Sequence, residues 1–184
     1  MKKLLLFALL CTLSLTGFAQ FKFKGVGGGL SFGSQAAINS SGNGKLGLGI
    51  EVNALAQIAE KIDGEAALII YFPSSTSGVD FNMTTFNLNG HYNFFEQDKL
   101  SAYGLAGLSM TFGTTTFSTP EINYGYGYVI PASETSDSFS EIGLNIGAGG
   151  AYAVSDKLDL TSQLGYTISD ADQLFFNVGV MYKF

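Results

Sequence analysis

The chain contains one histidine, His91, and its neighbours decide what chemistry it could perform. His91 lies between Asn89 and Asn93, and one histidine cannot form a two-histidine metal site. No carboxylate or serine stands beside it at the spacing of a catalytic motif. The sequence therefore predicts a histidine that makes hydrogen bonds inside the protein, with no catalytic, metal-binding or cofactor-binding residue.

Charge and cysteine content exclude further functions. The chain has 15 acidic residues, 9 lysines and no arginine, for a formal net charge of −6. Nucleic-acid binding requires a basic surface, so that function is excluded. The single cysteine, Cys11, lies within an apolar N-terminal run. If that run is removed, disulfides, thiolate metal sites and a cysteine nucleophile are excluded as well.

The N-terminal segment resembles an export signal. Lys2 and Lys3 precede an apolar run, and small residues flank Phe18 at Gly17 and Ala19. The run is shorter than the roughly 20 residues that a spanning helix needs. We predict that residues 1–19 are a cleaved signal peptide and that residues 20–184 form one domain.

The elements that must position the polar residues are strands. Phe86, Leu88 and Tyr92 fall on one face of an alternating stretch, and Asn87 and Asn89 fall on the other. Eight candidate strands follow from this pattern along the chain. They are residues 24–33, 45–56, 64–72, 82–95, 99–113, 138–154, 157–168 and 174–184. Both faces of the fifth strand are apolar or small, so its inward side is left open.

The connections between these strands are alternately short and long. Short turns fall near Asp98 and Asp156, and long loops cover residues 34–44, 73–80 and 113–137. Transmembrane barrels show this asymmetry, and an even number of strands returns both termini to one side. Each strand also approaches the roughly 10 residues that cross an apolar band of about 25 Å. We predict an all-β fold, a closed antiparallel up-and-down transmembrane β-barrel of eight strands.

Alternation alone also fits a soluble, lipocalin-like barrel that binds a hydrophobic ligand. Two features favour the membrane barrel. Glycines such as Gly47 and Gly49 recur on the polar stripe, where a narrow interior requires small residues. Aromatic residues such as Phe72 and Phe94 lie near strand ends, where they would form interfacial girdles.

The C-terminus resembles a known assembly signature. Val180, Tyr182 and Phe184 are apolar or aromatic at alternate positions, and the chain ends in phenylalanine. With the signal peptide and the eight strands, the mature chain is similar to the small outer membrane protein beta-barrel domain families, including OmpA/OmpX-like barrels and porin-family proteins. The resemblance implies a bacterial outer-membrane location, with outer-membrane lipids and the barrel assembly machinery as partners. It implies location and fold rather than activity.

Ten polar residues are predicted to face the lumen. They are Glu51, Asn53, Asn87, Asn89, His91, Asn93, Glu141, Asn145, Asp159 and Gln163. Buried acids need partners, and Lys45 and Lys183 are the inward lysines predicted to pair with them. An eight-stranded interior is only about wide enough for its own side chains, so we expect a polar plug rather than an open pore.

Two functions remain open for such a barrel. The first is a structural or surface-interaction role. The second is an enzyme acting on outer-membrane lipid or protein through His91. It would need a carboxylate within reach of His91 and a nucleophile or water pocket open to the outer leaflet, a constellation that we expect to be absent.

The longest loop, residues 113–137, contains Tyr124, Tyr126 and Tyr128 alternating with glycine. These tyrosines could bind an extracellular ligand or protein, or the segment could be a strand ribbon projecting from the barrel.

Overall fold

The computed structural model describes residues 21–39, 43–126 and 129–184. The predicted signal peptide, residues 1–19, lies outside the described residues. Eight long strands follow one another along the chain. They are β1 (Lys22–Ile38), β2 (Gly44–Ala59), β3 (Ile62–Tyr71), β4 (Val79–Gln97), β5 (Leu100–Thr119), β6 (Ser133–Ser155), β7 (Leu158–Ile168) and β8 (Gln173–Lys183). No helix in these ranges is long and apolar enough to cross a membrane.

Every long strand pairs antiparallel with its neighbours in sequence, and β1 also pairs with β8. Val26 lies opposite Tyr182, and Gly29 lies opposite Gly179. The pairing of β3 with β4 joins the remaining two strands, so the ring is closed. Closure leaves no unpaired sheet edge in the spanning part, as backbone groups in lipid require. The predicted eight-stranded antiparallel barrel is confirmed.

Apolar side chains cover the outside of the ring. On β6, Ile142, Leu144 and Ile146 are 72%, 57% and 60% exposed, whereas Asn145 between them is 3% exposed. Water would disfavour so continuous an apolar surface, and a lipid environment favours it. The outer face of the barrel is therefore its lipid-facing side.

The structure shows which side chains of the fifth strand, β5, point into the barrel, a question that the sequence left open. Tyr103, Leu105 and Ser109 are buried inside the barrel, and Leu108 and Met110 lie outside.

Inward aromatic rings fit the barrel because glycine faces them on the adjacent strand. A Cβ atom placed on Gly149 would lie 2.6 Å from Tyr103 Cζ, and one on Gly165 would collide with the ring of Phe175. The glycine stripe thus provides the space that a narrow interior lacks.

The barrel has a turn end and a loop end. Both described ends of the chain and the tight connections near Lys61, Asp98 and Asp156 lie at the turn end. At the loop end, β5 and β6 continue as a paired ribbon between Thr114–Thr119 and Ser133–Ser138. A strand at Ser74–Thr76 also pairs with β4, and Ile122–Asn123 pairs with Val129–Ile130 at the ribbon tip.

The loop-end rim is uneven. The ribbon projects furthest from the barrel at this end. The β7–β8 connection is lower, because β7 ends at Ile168 and β8 begins at Gln173. The predicted strand bounds at residues 113 and 138 are wrong, because both strands run on into the longest loop, whereas the interpretation of that segment as a projecting strand ribbon is confirmed.

Candidate functional site

The centre of the lumen is organised around Glu65 on β3, which is 4% exposed. Its Oε1 accepts hydrogen bonds from Asn53 Nδ2 at 3.1 Å and Gln163 Nε2 at 2.9 Å. Its Oε2 accepts one from Asn89 Nδ2 at 3.1 Å and lies 3.2 Å from His91 Nε2. These donors come from β2, β4 and β7, so one carboxylate ties together three strands across the barrel. Hydrogen bonds to a charged group offset part of the cost of burying it.

A second polar layer lies next to this hub, towards the loop end. Asn145 Nδ2 donates to Asn87 Oδ1 at 3.1 Å and to Asn89 Oδ1 at 3.0 Å. Its own Oδ1 accepts a hydrogen bond from Thr167 Oγ1 at 2.7 Å. Asn87, Asn89 and Asn145 are each no more than 5% exposed. The layer fills the lumen with mutually satisfied amides.

Ion pairs close the lumen at the turn end. Lys24 Nζ lies 2.8 Å from Asp63 Oδ2, and Lys183 Nζ lies 2.7 Å from Asp159 Oδ1. Asp63 also accepts a hydrogen bond from Asn93 Nδ2 at 2.8 Å. A small cavity of about 90 Å³ remains among these groups.

All ten predicted lumen residues lie on the inner face, but they do not form one group. Six belong to the hub and the amide layer, and Glu51 joins the hub through Asn53 Nδ2 at 2.8 Å. Asn93 and Asp159 lie at the turn end, and Glu141 lies apart at the loop end. The described residues contain no group of three or more His, Cys, Asp or Glu side chains that could hold a metal ion.

The charge pairing differs from the prediction in two respects. Lys45 is exposed at the loop end and makes no ion pair within the described residues, because β2 carries it beyond the lumen acids. Lys24 and Asp63 form a pair that the prediction omitted. Asp63 has the same strand parity as Glu65, so the alternation that identified Glu65 could have identified Asp63.

The environment of His91 corrects one expectation. A carboxylate does lie within hydrogen-bond reach, because Glu65 is the diagonal neighbour of His91 across the β3–β4 pair, next to Asp63, which lies directly opposite. Sequence separation concealed this contact. His91 is 3% exposed and stacks on Tyr103 at a ring distance of 4.2 Å. The adjacent cavity lies among the turn-end ion pairs rather than at the loop-end mouth.

The loop-end mouth contains a larger cavity of about 450 Å³, which we call the cup. Its apolar floor includes Phe81 and Met83, which are 8% and 6% exposed, and Phe139, which stacks on Phe81 at 6.3 Å. Asp137 and Glu141 also line it. The prediction did not identify the cup, although Phe81, Met83 and Phe139 stand at inward-facing positions in the alternating pattern of their strands.

The predicted tyrosine cluster lies at the tip of the ribbon. Tyr124 is 62% exposed, and Tyr126 is fully exposed with a φ of 52°. Tyr128 lies outside the described residues. Asn123 Oδ1 accepts a hydrogen bond from the Gly125 N–H at 2.8 Å, which shapes the turn between the tip strands.

Comparison with known proteins supports a membrane assignment. The family model for the outer membrane protein beta-barrel domain matches residues 5–184. No curated protein sequence is significantly similar to the chain.

Several solved structures share the fold. A major outer membrane protein from Thermus thermophilus has a TM-score of 0.67 at 14% identity, covering 89% of this chain and 99% of that one. The Yersinia pestis attachment invasion locus protein Ail, in complex with the heparin analogue sucrose octasulfate, has a TM-score of 0.60 at 16% identity, with coverage of 89% and 99%. Neisserial surface protein A has a TM-score of 0.57 at 17% identity, with coverage of 90% and 97%.

The family match extends over nearly the whole chain, and the closed ring with an apolar outer face has the form that a bilayer requires. The chain belongs to the outer membrane protein beta-barrel domain family and is an integral protein of the bacterial outer membrane.

Proposed function

We propose that this barrel is a surface-interaction protein that keeps its lumen closed and presents the β5–β6 ribbon outside the cell. Barrels of this kind place short turns in the periplasm and longer loops outside. The turn end therefore faces the periplasm, and the ribbon and the cup face the exterior.

The packed lumen argues against a pore. The Glu65 hub and the Asn145 layer connect opposite walls through side-chain hydrogen bonds. A solute would have to break these bonds to pass. We expect the purified barrel to give no steady conductance in a planar lipid bilayer.

The ribbon is the observation that carries the proposal. Thr114 Oγ1 and Ser138 Oγ lie 3.1 Å apart, and Thr116 Oγ1 and Ser136 Oγ lie 2.9 Å apart, so side-chain bonds reinforce the strand pairing. The tip then exposes Ile122, Tyr124 and Tyr126 to solvent. Exposed apolar and tyrosine side chains on an ordered support are typical of protein-binding surfaces.

The charge of the loop end narrows the class of partner. Within the described residues, Lys45 is the single lysine at this end. The acids there are Asp80, Glu121, Glu134, Asp137, Glu141, Asp170 and Asp172. Ail is seen with a sulfated heparin analogue. An acidic surface would repel such a polyanion, so we propose a protein partner for this chain.

The proposal can be tested with the barrel in lipid nanodiscs as bait for surface proteins. One variant replaces residues 120–132 with a two-residue Asn-Gly turn, and a second carries Tyr124→Ser and Tyr126→Ser. Both should lose partners that the intact barrel captures, because the contact area at the tip is gone. Immobilised heparin should retain neither the intact barrel nor the variants.

Heat-modifiable gel mobility serves as the folding control. If both variants are folded and still capture the same partners, the ribbon is not the interaction surface. Heparin retention of the intact barrel would contradict the proposed partner class.

We propose a structural role for His91, not a catalytic one. Its buried ring is held between Glu65 and Tyr103, away from the loop-end mouth where a substrate from the outer leaflet would enter. A lipase, acyltransferase or protease activity that disappears in folded His91→Gln would overturn this role.

Export and assembly complete the proposal. Residues 1–19 are proposed to direct secretion and to be cleaved, and Val180, Tyr182 and Phe184 to be read by the barrel assembly machinery.

A further inference from the structure

We infer that the cup is a binding site for a small organic cation with an apolar body, such as an amine attached to an aromatic ring. This site is separate from the ribbon tip. Its volume of about 450 Å³ falls within the size range of small-molecule sites, which is roughly 300–1,000 Å³.

The shape of the cup follows from the uneven rim. Its high side is the inner face of the ribbon base, where Thr115, Phe117 and Asp137 face inwards. Its low side is the short β7–β8 connection, which contributes Ser169 and Ala171. A molecule from outside can therefore enter over the low side and rest against the wall.

The floor supplies an apolar surface that is closed below. Phe81, Met83, Ile69 and Tyr71 belong to one buried cluster, and Phe139 packs against it. Beneath the cup, Gln173 Nε2 donates to Tyr71 Oη at 3.2 Å, and polar residues fill the lumen. An apolar group that enters the cup is buried against aromatic rings and cannot pass deeper.

The charge of the lining selects a cation. Among the described residues, Asp137 and Glu141 are the charged residues that line the cup, and no lysine lines it. Both lie on the inner face of β6, on either side of Phe139. A cation seated beside Phe139 would meet two carboxylates and an aromatic face, and both kinds of group attract positive charge. An anion of the same shape would be repelled.

The chain carries its own reporters for a test. Met83 lines the cup, Met181 is buried at the turn end, and Met110 lies on the lipid face. We would label the methionine methyl groups with carbon-13 and titrate the barrel in nanodiscs with benzyltrimethylammonium, a water-soluble aromatic cation. The Met83 signal should shift in a saturable way, and the Met110 and Met181 signals should not.

Charge selectivity is tested with two analogues and three variants. Benzyl alcohol and benzenesulfonate should bind at least ten times more weakly than the cation. Glu141→Gln and Asp137→Asn should each weaken cation binding several-fold, and together by tenfold or more. Asp80→Asn is the matched control, because Asp80 is a loop-end acid outside the cup lining. It should leave the affinity unchanged.

Three outcomes would overturn the inference. The Met83 signal could stay unshifted, the anion could bind as tightly as the cation, or Asp80→Asn could weaken binding as much as Glu141→Gln. Unchanged Met110 and Met181 signals in every variant show that the barrel is folded. A variant without the ribbon tip, residues 120–132, should retain cation binding, which separates this site from the protein-binding surface.

Discussion

The two ends of the lumen differ in how they use polar residues. At the turn end, Asp63 and Asp159 are paired with lysines, and next to them, at the centre of the lumen, Glu65 is surrounded by donors from several strands. At the loop end, Asp137 and Glu141 border an apolar cavity that no lysine lines. Satisfied polar groups hold strands together, whereas unneutralised charge beside an apolar surface can attract a ligand. The turn end stabilises the barrel, and the loop end is left for recognition.

The largest expected effect is a loss of stability from the turn-end half. Glu65→Ala removes the carboxylate that Asn53, Asn89, His91 and Gln163 contact. These four side chains then face one another without an acceptor. We expect the free energy of unfolding to fall by about 3–5 kcal/mol, because each buried donor left without an acceptor costs about 1–3 kcal/mol and several lose their acceptor together. Urea titration of the barrel refolded in lipid vesicles measures this change.

Two acids provide the comparison for Glu65. Glu51→Gln should cost less than about 1 kcal/mol, since Glu51 accepts one hydrogen bond from Asn53 and glutamine nearly keeps its shape. Glu141→Ala should cost a similarly small amount, because its bond to the Ala171 N–H is exposed. Equal losses for Glu65→Ala and Glu141→Ala would remove the distinction between the two ends.

The next effect tests whether the two ends lie on opposite sides of one bilayer. Val178 is 42% exposed on the outer face, midway along β8, where it pairs with Leu30 and Ser162. Val178→Arg should lower the free energy of unfolding by about 2–4 kcal/mol, because a charge at the midplane is costly. Val26→Arg, near the turn end, should cost about 0–1 kcal/mol. If both variants refold in vesicles with unchanged stability, the outer faces of β1 and β8 at these positions do not face lipid.

The sequence predicted the barrel well where one face meets lipid and the other meets polar groups. Alternation located β2 and β8 because their apolar and polar positions are distinct. It failed for the ribbon, where Thr116 and Ser136 pair in water and neither face needs apolar residues. Strand pairing there depends on hydrogen bonds of the backbone and of hydroxyl groups. Such bonds produce no alternation of apolar and polar residues in the sequence.

The site was predictable in part for a related reason. The alternation of residues along a strand shows which side chains point inwards, as it did for His91 and Asn145. It does not show which of them meet, since the contacts between Glu65 and Gln163 and between Asn145 and Asn87 join distant segments. The cup escaped prediction because it depends on unequal strand heights at the rim. Those heights follow from the ribbon that the alternation could not detect.

The smallest effect on stability belongs to the end of the chain, and it separates folding from assembly. The Phe184 ring is 72% exposed and lies 5.4 Å from Phe23 and 5.5 Å from Tyr182. Phe184→Ala should lower the free energy of unfolding by only about 1 kcal/mol, since aromatic pairs contribute about 0.5–1.5 kcal/mol beyond area burial. Its backbone bond to Lys24 O, at 3.0 Å, does not need the side chain.

Insertion into the outer membrane of cells should fall far more than this small loss of stability explains, if the assembly machinery reads the terminal phenylalanine. Phe23→Ala is the matched control, because it removes the same Phe23–Phe184 contact and keeps the C-terminal residue. Membrane-inserted barrel is measured by heat-modifiable mobility in both variants. If the two substitutions reduce insertion equally, the loss comes from the aromatic contact that closes β1 onto β8, and Phe184 has no separate role as a signal.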